Sequence, residues 1–357
     1  MALSKVDPNF VSQTPYGRRN LIINGAMQVA QRGTSTTDSN GFGVDRFHGS
    51  VINLDQLVTT YSQSSTAPAG FTSSLKVNVD TAETALAADE YLRVYQRIEA
   101  QDLQHLQYGS SGAKSLTLSF WVRSNVTGKY SVFIYQSDGV RSNTQSYTIN
   151  SADTWEYKTI TIDGDTAGTI NNDNGEGLAI NFILAAGSDR AGTPHTGWGA
   201  FTATDDFSHS DMVQTFITTA NNNWYITGVQ LEVGDTATPF EHRSYGEEFA
   251  LCKRYFQQVS DVQASGFNYN DHPLATYYLP VEMRATPTAT EVLRGNAFSS
   301  TNATGQTSYS GPTTSAFNTG VTFLRIQITG GSWTGSGNDR GNALFVASFT
   351  TNLDAEL

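Results

Sequence analysis

The chain has 357 residues, of which 15% are charged and 38% hydrophobic, with 32 Gly, 19 Phe and 16 Tyr. This length exceeds one average domain and suits two, and a formal net charge of −12 argues against a polyanionic partner such as nucleic acid, which needs clustered Lys and Arg. No apolar run approaches the roughly 20 residues of a membrane-spanning helix, so no membrane insertion is expected, and the single cysteine, Cys252, forbids an internal disulfide.

Turn formers mixed with aromatic and β-branched residues predict an all-β protein of many short strands. Residues 1–19 lack periodicity and contain Pro8, Pro15 and Gly17, so they read as an N-terminal arm. The stretch Met1 to Phe10 has no apolar core like that of a signal peptide, and synthesis in a reducing compartment is expected. Residues 20–24 read as a first short strand, stopped by Asn24-Gly25. Strands are next expected at Phe47–Val51, Leu57–Tyr61, Leu75–Val79 and Tyr91–Ile98, with one helical turn within 99–107. Ser115–Arg123, Tyr130–Gln136, Gln145–Ile149, Trp155–Ile162 and the apolar Leu178–Leu184 follow. Their strand patterns assign Trp121 and Trp155, with Trp224 further on, to the core. Residues 186–211 form a long polar loop carrying His195, Trp198, Phe201 and His209.

Trp224–Val233 reads as the closing strand. A strict period of two puts Tyr225, Thr227, Val229 and Leu231 on one face and Trp224, Ile226, Gln230 and Glu232 on the other. Pro239 then forbids a central strand. Residues 244–256 read as the one convincing helix, with Ser244 and Glu247 placed as a capping box. Strand-like runs return at Leu274–Pro280, Thr288–Leu293, Val321–Ile328 and Ala343–Phe349. The expected organisation is an arm over 1–19, a β-sandwich over 20–243, a linking helix segment over 244–264 and a smaller C-terminal β-sandwich over 265–357.

Several separated motifs carry a resemblance. Asn20-Leu-Ile-Ile-Asn-Gly25, Leu118-Ser-Phe-Trp-Val122 and Trp224-Tyr-Ile-Thr-Gly-Val-Gln-Leu-Glu232 resemble strands of carbohydrate-binding-module-like jelly rolls. Together with Gln31-Arg-Gly33, Val44-Asp-Arg-Phe47, Ala237-Thr-Pro-Phe-Glu-His-Arg243 and Val281-Glu-Met-Arg-Ala-Thr-Pro287, they are similar, over roughly residues 20–290, to bacteriophage tail-fibre and virion appendage proteins. The resemblance implies a jelly-roll sandwich and a non-enzymatic virion protein that contacts host surface polysaccharide. It also implies homotrimers and docking to other virion proteins through the arm. The rivals are a capsid-decorating or cement protein and a polysaccharide depolymerase, although the long periodic strand pattern of a depolymerase β-helix is missing. Many such jelly rolls hold Ca²⁺ with carboxylates. Here the matching positions, Ala26 to Gln28 and Thr227-Gly228, offer none, so no metal and no cofactor are expected.

Catalytic constellations are weak. Asp205-Asp206 with His209 and Asp211 read as a solvated acidic loop, Asn171 to Glu176 as a hydrated turn, and Cys252 as a buried thiol. The six histidines show no zinc spacing. Glycan binding would use aromatic faces flanked by amides and carboxylates. The candidates are Trp198 and Phe201 in the long loop, with Tyr269, Asn270, Asp271 and Trp333 in the C-terminal unit; Asn268 and Asn338 are further polar groups there.

Overall fold

A computed structural model describes residues 18–37, 40–204, 206–269, 272–292, 298–302, 305–310, 313–329, 332–333 and 344–357. The expected arm therefore lies almost wholly outside the described residues. The first strands are β1 (Ser35–Thr37), β2 (Asn40–Val44), β3 (Phe47–Ile52), β4 (Val58–Ser64), β5 (Ser74–Thr81) and β6 (Tyr91–Glu99). A 3-10 turn at Ala100–Leu106 precedes β7 (Leu116–Ser124), β8 (Gly128–Gln136), β9 (Arg141–Ile149), β10 (Glu156–Ile162) and β11 (Glu176–Ala186). The short β12 (Ala191–Gly192), β13 (Gly199–Ala200) and β14 (Ser208–His209) lie in the long loop, and β15 (Asn223–Val233) closes the set.

These strands form a jelly-roll sandwich. One sheet runs β1-β4-β5-β15-β7-β10 and the other β13-β9-β8-β11-β6-β3-β2, so the chain repeatedly crosses between layers. The core follows from alternation. Leu116, Leu118, Phe120 and Val122 of β7 meet Leu178, Ile180, Phe182 and Leu184 of β11 in one continuous apolar cluster. Trp224 closes it, fully buried, its indole Nε1 donating to Tyr147 Oη at 3.1 Å.

Two strand readings are corrected. Residues 20–24 are buried but not a strand. Their backbone bonds go largely to side chains: Ile22 N to Asn20 Oδ1, Ile23 N to Gln96 Oε1 and Asn24 N to Glu248 Oε1. Asn24 turns the chain at φ 60°. In β15 the alternation slips. The register against β7 shifts between Thr227 and Gln230, with Gly228 at φ 61°. This bulge lets Trp224, Ile226, Val229 and Leu231 all face inward, and turns Gln230 and Glu232 to the same outer face as Tyr225 and Thr227.

After the sandwich comes α1 (Tyr245–Lys253). Ser244 caps it in a reciprocal capping box with Glu247, as the sequence predicts. The smaller C-terminal β-sandwich contains β16 (Phe256–Tyr269), β17 (His272–Tyr278), β18 (Thr288–Val292), β19 (Phe298–Asn302), β20 (Gly305–Ser310), β21 (Thr313–Thr319), β22 (Phe323–Thr329), β23 (Ser332–Trp333) and β24 (Leu344–Asp354). Its pairings are antiparallel, in the order β21-β22-β17-β16-β24-β19-β20-β23, with β18 beside β24. Among the described residues no helix is long and apolar enough to cross a membrane.

Candidate functional site

The site grows from the outer face of the six-stranded sheet. In β7 the residues between the core positions, Thr117, Ser119, Trp121 and Arg123, point outward. The neighbouring β10 pairs in a register that sets Tyr157 directly opposite Trp121. Their rings meet at 5.3 Å between centroids with 49° between planes. Tyr157 is 45% exposed, an open ring face on an edge strand.

The bulge in β15 shapes the next part. A Cβ on Gly228 would stand 2.6 Å from the Phe71 ring, so only glycine lets that ring lie over the strand. Phe71 comes from the loop before β5, where its N–H closes a turn onto Pro68 O at 3.1 Å. It packs edge-on to Phe240 at 5.1 Å and tilted against His242 at 5.4 Å, both from the exit strap after Pro239.

That strap is firmly held. Glu241 N donates to Gln230 Oε1 at 2.8 Å, and the Glu241 carboxylate accepts from the backbone N–H groups of Arg19 and Asn20. Thr238 N donates to Glu232 Oε1 at 2.8 Å. These contacts use the two outward polar residues that the bulge delivers. Glu241 titrates below the ordinary carboxylate range; burial works against this, but the two backbone donors and Arg243 outweigh it.

Between strap, loop and strands lies an open cleft of about 280 Å³ lined by Phe71, Trp121, Tyr157, Phe240 and His242, with Ser119 at its floor. Further along the same face Trp155 packs edge-on to Tyr225 at 6.1 Å, and Arg123 lies 5.1 Å from the Tyr225 ring. The outer face therefore carries an aromatic strip, and Trp121 and Trp155 are half-buried surface residues of it rather than core. Rings with hydroxyl and imidazole edges suit a polyol with one apolar face. No carboxylate lines the cleft among the described residues, so it lacks the acid pair that glycoside hydrolysis uses.

None of the described residues among those singled out in the sequence as glycan candidates lines this cleft. Trp198 donates from Nε1 to Asp163 O at 2.7 Å and packs edge-on against Tyr108. Phe201 packs among Phe133, Tyr135 and Phe207. Both rings fasten the long loop to the sandwich, in different apolar clusters. Asp206 of the same loop is buried and accepts from Thr202 N, so it is not solvated. Tyr269 ends β16, paired to His272, and Trp333 lies in β23, paired to Tyr309. Asn270, Asp271 and Asn338 lie outside the described residues.

No family model and no curated protein matches the chain by sequence. Among solved structures it is similar to the enzymatically active domain of bacteriophage CBA120 tailspike protein 4, at 12% identity and TM-score 0.34, over 60% of this chain and 21% of that one. A putative sugar binding protein from Bacteroides thetaiotaomicron gives 14% identity and TM-score 0.34, over 60% of this chain and 100% of that one. A family 11 carbohydrate-binding module from Clostridium thermocellum, in complex with a β-1,3-1,4-mixed-linked tetrasaccharide, gives 14% and 0.28, over 58% and 98%. Overlaps of this size assign neither ligand nor activity.

The signal for the aromatic strip was present in the sequence as parity. Trp121 shares its phase with Thr117, Ser119 and Arg123, and Tyr157 with Thr159 and Thr161. Phe71 and Phe240 carry no such signal, because only the folded sandwich brings them together.

Proposed function

We propose that the protein is a non-enzymatic bacteriophage virion component, a tail fibre or appendage, whose jelly roll binds host surface glycans through the cleft at Trp121, Tyr157, Phe71, Phe240 and His242. The observation that carries the glycan reading is the Trp121–Tyr157 pair, two aromatic rings side by side on an outer sheet face beside a cleft without carboxylates. Stacking of a sugar face on such rings contributes through apolar burial and CH–ring contact, and needs no metal. The virion setting and the homotrimer are supported by the motif resemblance over residues 20–290. The same resemblance has the arm dock onto other virion proteins.

A glycan array with the purified protein tests the reading. Binding to a defined set of neutral or mixed glycans that is weakened in Trp121→Ala supports it. A wild-type protein silent on the array, yet present on virions by immunogold imaging, points instead to a decorating or cement role on the capsid. Release of new reducing ends from host polysaccharide would contradict the non-enzymatic assignment.

A further inference from the structure

The outer face of the opposite sheet has a different chemistry. Across β2, β3, β6 and β11 the register aligns Phe42 with His48, His48 with Tyr95, and Tyr95 with Asn181. The Phe42 and His48 rings meet at 4.6 Å, and His48 and Tyr95 at 5.1 Å. Four arginines converge on this row. Arg32 lies 4.0 Å from the Phe42 ring, Arg93 and Arg97 lie 4.4 and 4.9 Å from the Tyr95 ring, and Arg46 lines the adjoining cavity of about 130 Å³. In a chain with only 21 Lys and Arg this is a local concentration of guanidinium groups.

Three of the four already hold carboxylates. Arg32 pairs with Asp354 at 3.0 Å, Arg46 with Glu356, and Arg97 with Glu176 at 2.8 Å. Arg93 has no carboxylate within ion-pair distance among the described residues, although Glu176, held by Arg97, lies near enough to feel its charge. Arg93 Nη1 donates to Asn181 Oδ1 at 3.0 Å, its guanidinium is flanked by the rings of Tyr91 and Tyr95, and its Nε has no acceptor. Nδ1 of His48 likewise lacks a partner. A half-buried guanidinium held in place by two rings and an amide is preorganised for a planar anion. Buried polar atoms without partners mark a place where a ligand or water completes the set.

We propose that Arg93, together with Tyr95 and His48, forms a second ligand site that takes the carboxylate of an acidic sugar. The guanidinium holds the carboxylate, while Tyr95 and His48 offer ring surface and polar edges to the sugar. The neighbouring Arg97 already holds a carboxylate, that of Glu176, at 2.8 Å. The site lies on the sheet opposite the Trp121 cleft and stands whether or not that cleft binds glycan.

Affinity electrophoresis of the full chain through gels containing polygalacturonate, dextran sulfate or neutral dextran tests it. The wild type is expected to be retarded by polygalacturonate in a salt-sensitive way, and not by dextran. Arg93→Gln is expected to weaken that retardation about tenfold or more, whereas Lys114→Gln, an equal charge change at an exposed turn, leaves it unchanged. Should Arg93→Gln fail to give the wild-type circular dichroism spectrum, Arg93→Lys keeps the charge without the fork and is expected to bind several-fold more weakly. The proposal is overturned by a wild type that ignores polygalacturonate or binds dextran sulfate equally well. It is also overturned if the folded Arg93 variants bind like the wild type.

Discussion

His48 shows how a single side chain sets a response to acid. Burial, with Arg97, Arg93 and Arg32 nearby, pushes its imidazole from the ordinary 6.5 down to about 4. Between those two values the unfolded chain takes up a proton that the folded protein refuses, so stability falls as pH drops through this window. Acidification from pH 7 to pH 5 is expected to remove up to roughly 2 kcal/mol through this residue. Thermal melts of His48→Gln should be correspondingly flatter with pH; a variant as acid-sensitive as the wild type would contradict the account. Gly228 makes a second prediction. Alanine there meets both a positive φ and the Phe71 ring, so Gly228→Ala is expected to cost about 1–3 kcal/mol and to lower the melting temperature. At this scale strand parity sets Trp121 in phase with Thr117, Ser119 and Arg123, yet tryptophan in an otherwise apolar strand reads as core until the partner face is known. Arg93 reads as one polar residue in an alternating run. Its unpaired state depends on which carboxylates the fold brings near, and no sequence pattern reports that.

Among elements, β15 and α1 show what local pattern can and cannot deliver. The capping box at Ser244 and Glu247 involves residues three apart, so it is readable in the chain and present in the fold. The faces of β15 were misread because one glycine at φ 61° adds a residue to the strand and inverts every side chain after it. The segment 20–24 was misread for a related reason: an apolar run beside Asn looks like a strand, whereas its bonds go to distant side chains such as Gln96 and Glu248. The join between α1 and the sandwich rests on Glu99 at the end of β6. This fully buried carboxylate accepts from Arg254 Nε and Nη2, both at 2.7 Å, and from Tyr255 Oη at 2.6 Å. Burial alone would raise its pKa, but the Arg254 and Tyr255 donors overcome that and lower it. Glu99→Ala leaves the guanidinium without its counter-charge and is expected to destabilise by about 3–5 kcal/mol in urea unfolding. A loss below about 1 kcal/mol would remove Glu99 as the anchor of this junction.

For the whole molecule, the two faces of the jelly roll divide the chemistry. One outer face carries an aromatic strip bordered by a strap, and the other an arginine patch contacted by Asp354, Glu356 and Leu357. The all-β class and the sandwich were legible from strand spacing and turn composition. The make-up of the two faces was not, because each assembles residues far apart in the chain, Phe71 to His242 on one and Phe42 to Leu357 on the other. The proposed homotrimer predicts a mass about three times the 38.7 kDa of one chain by multi-angle light scattering, and a monomer mass would contradict it. The most direct test of the central claim is calorimetric titration of wild type and the Trp121→Ala/Tyr157→Ala double variant with the strongest ligand from the glycan array. Loss of two stacking faces is expected to weaken binding at least tenfold with the melting temperature nearly unchanged. Equal affinity in a folded double variant would show that the aromatic strip is not the glycan platform.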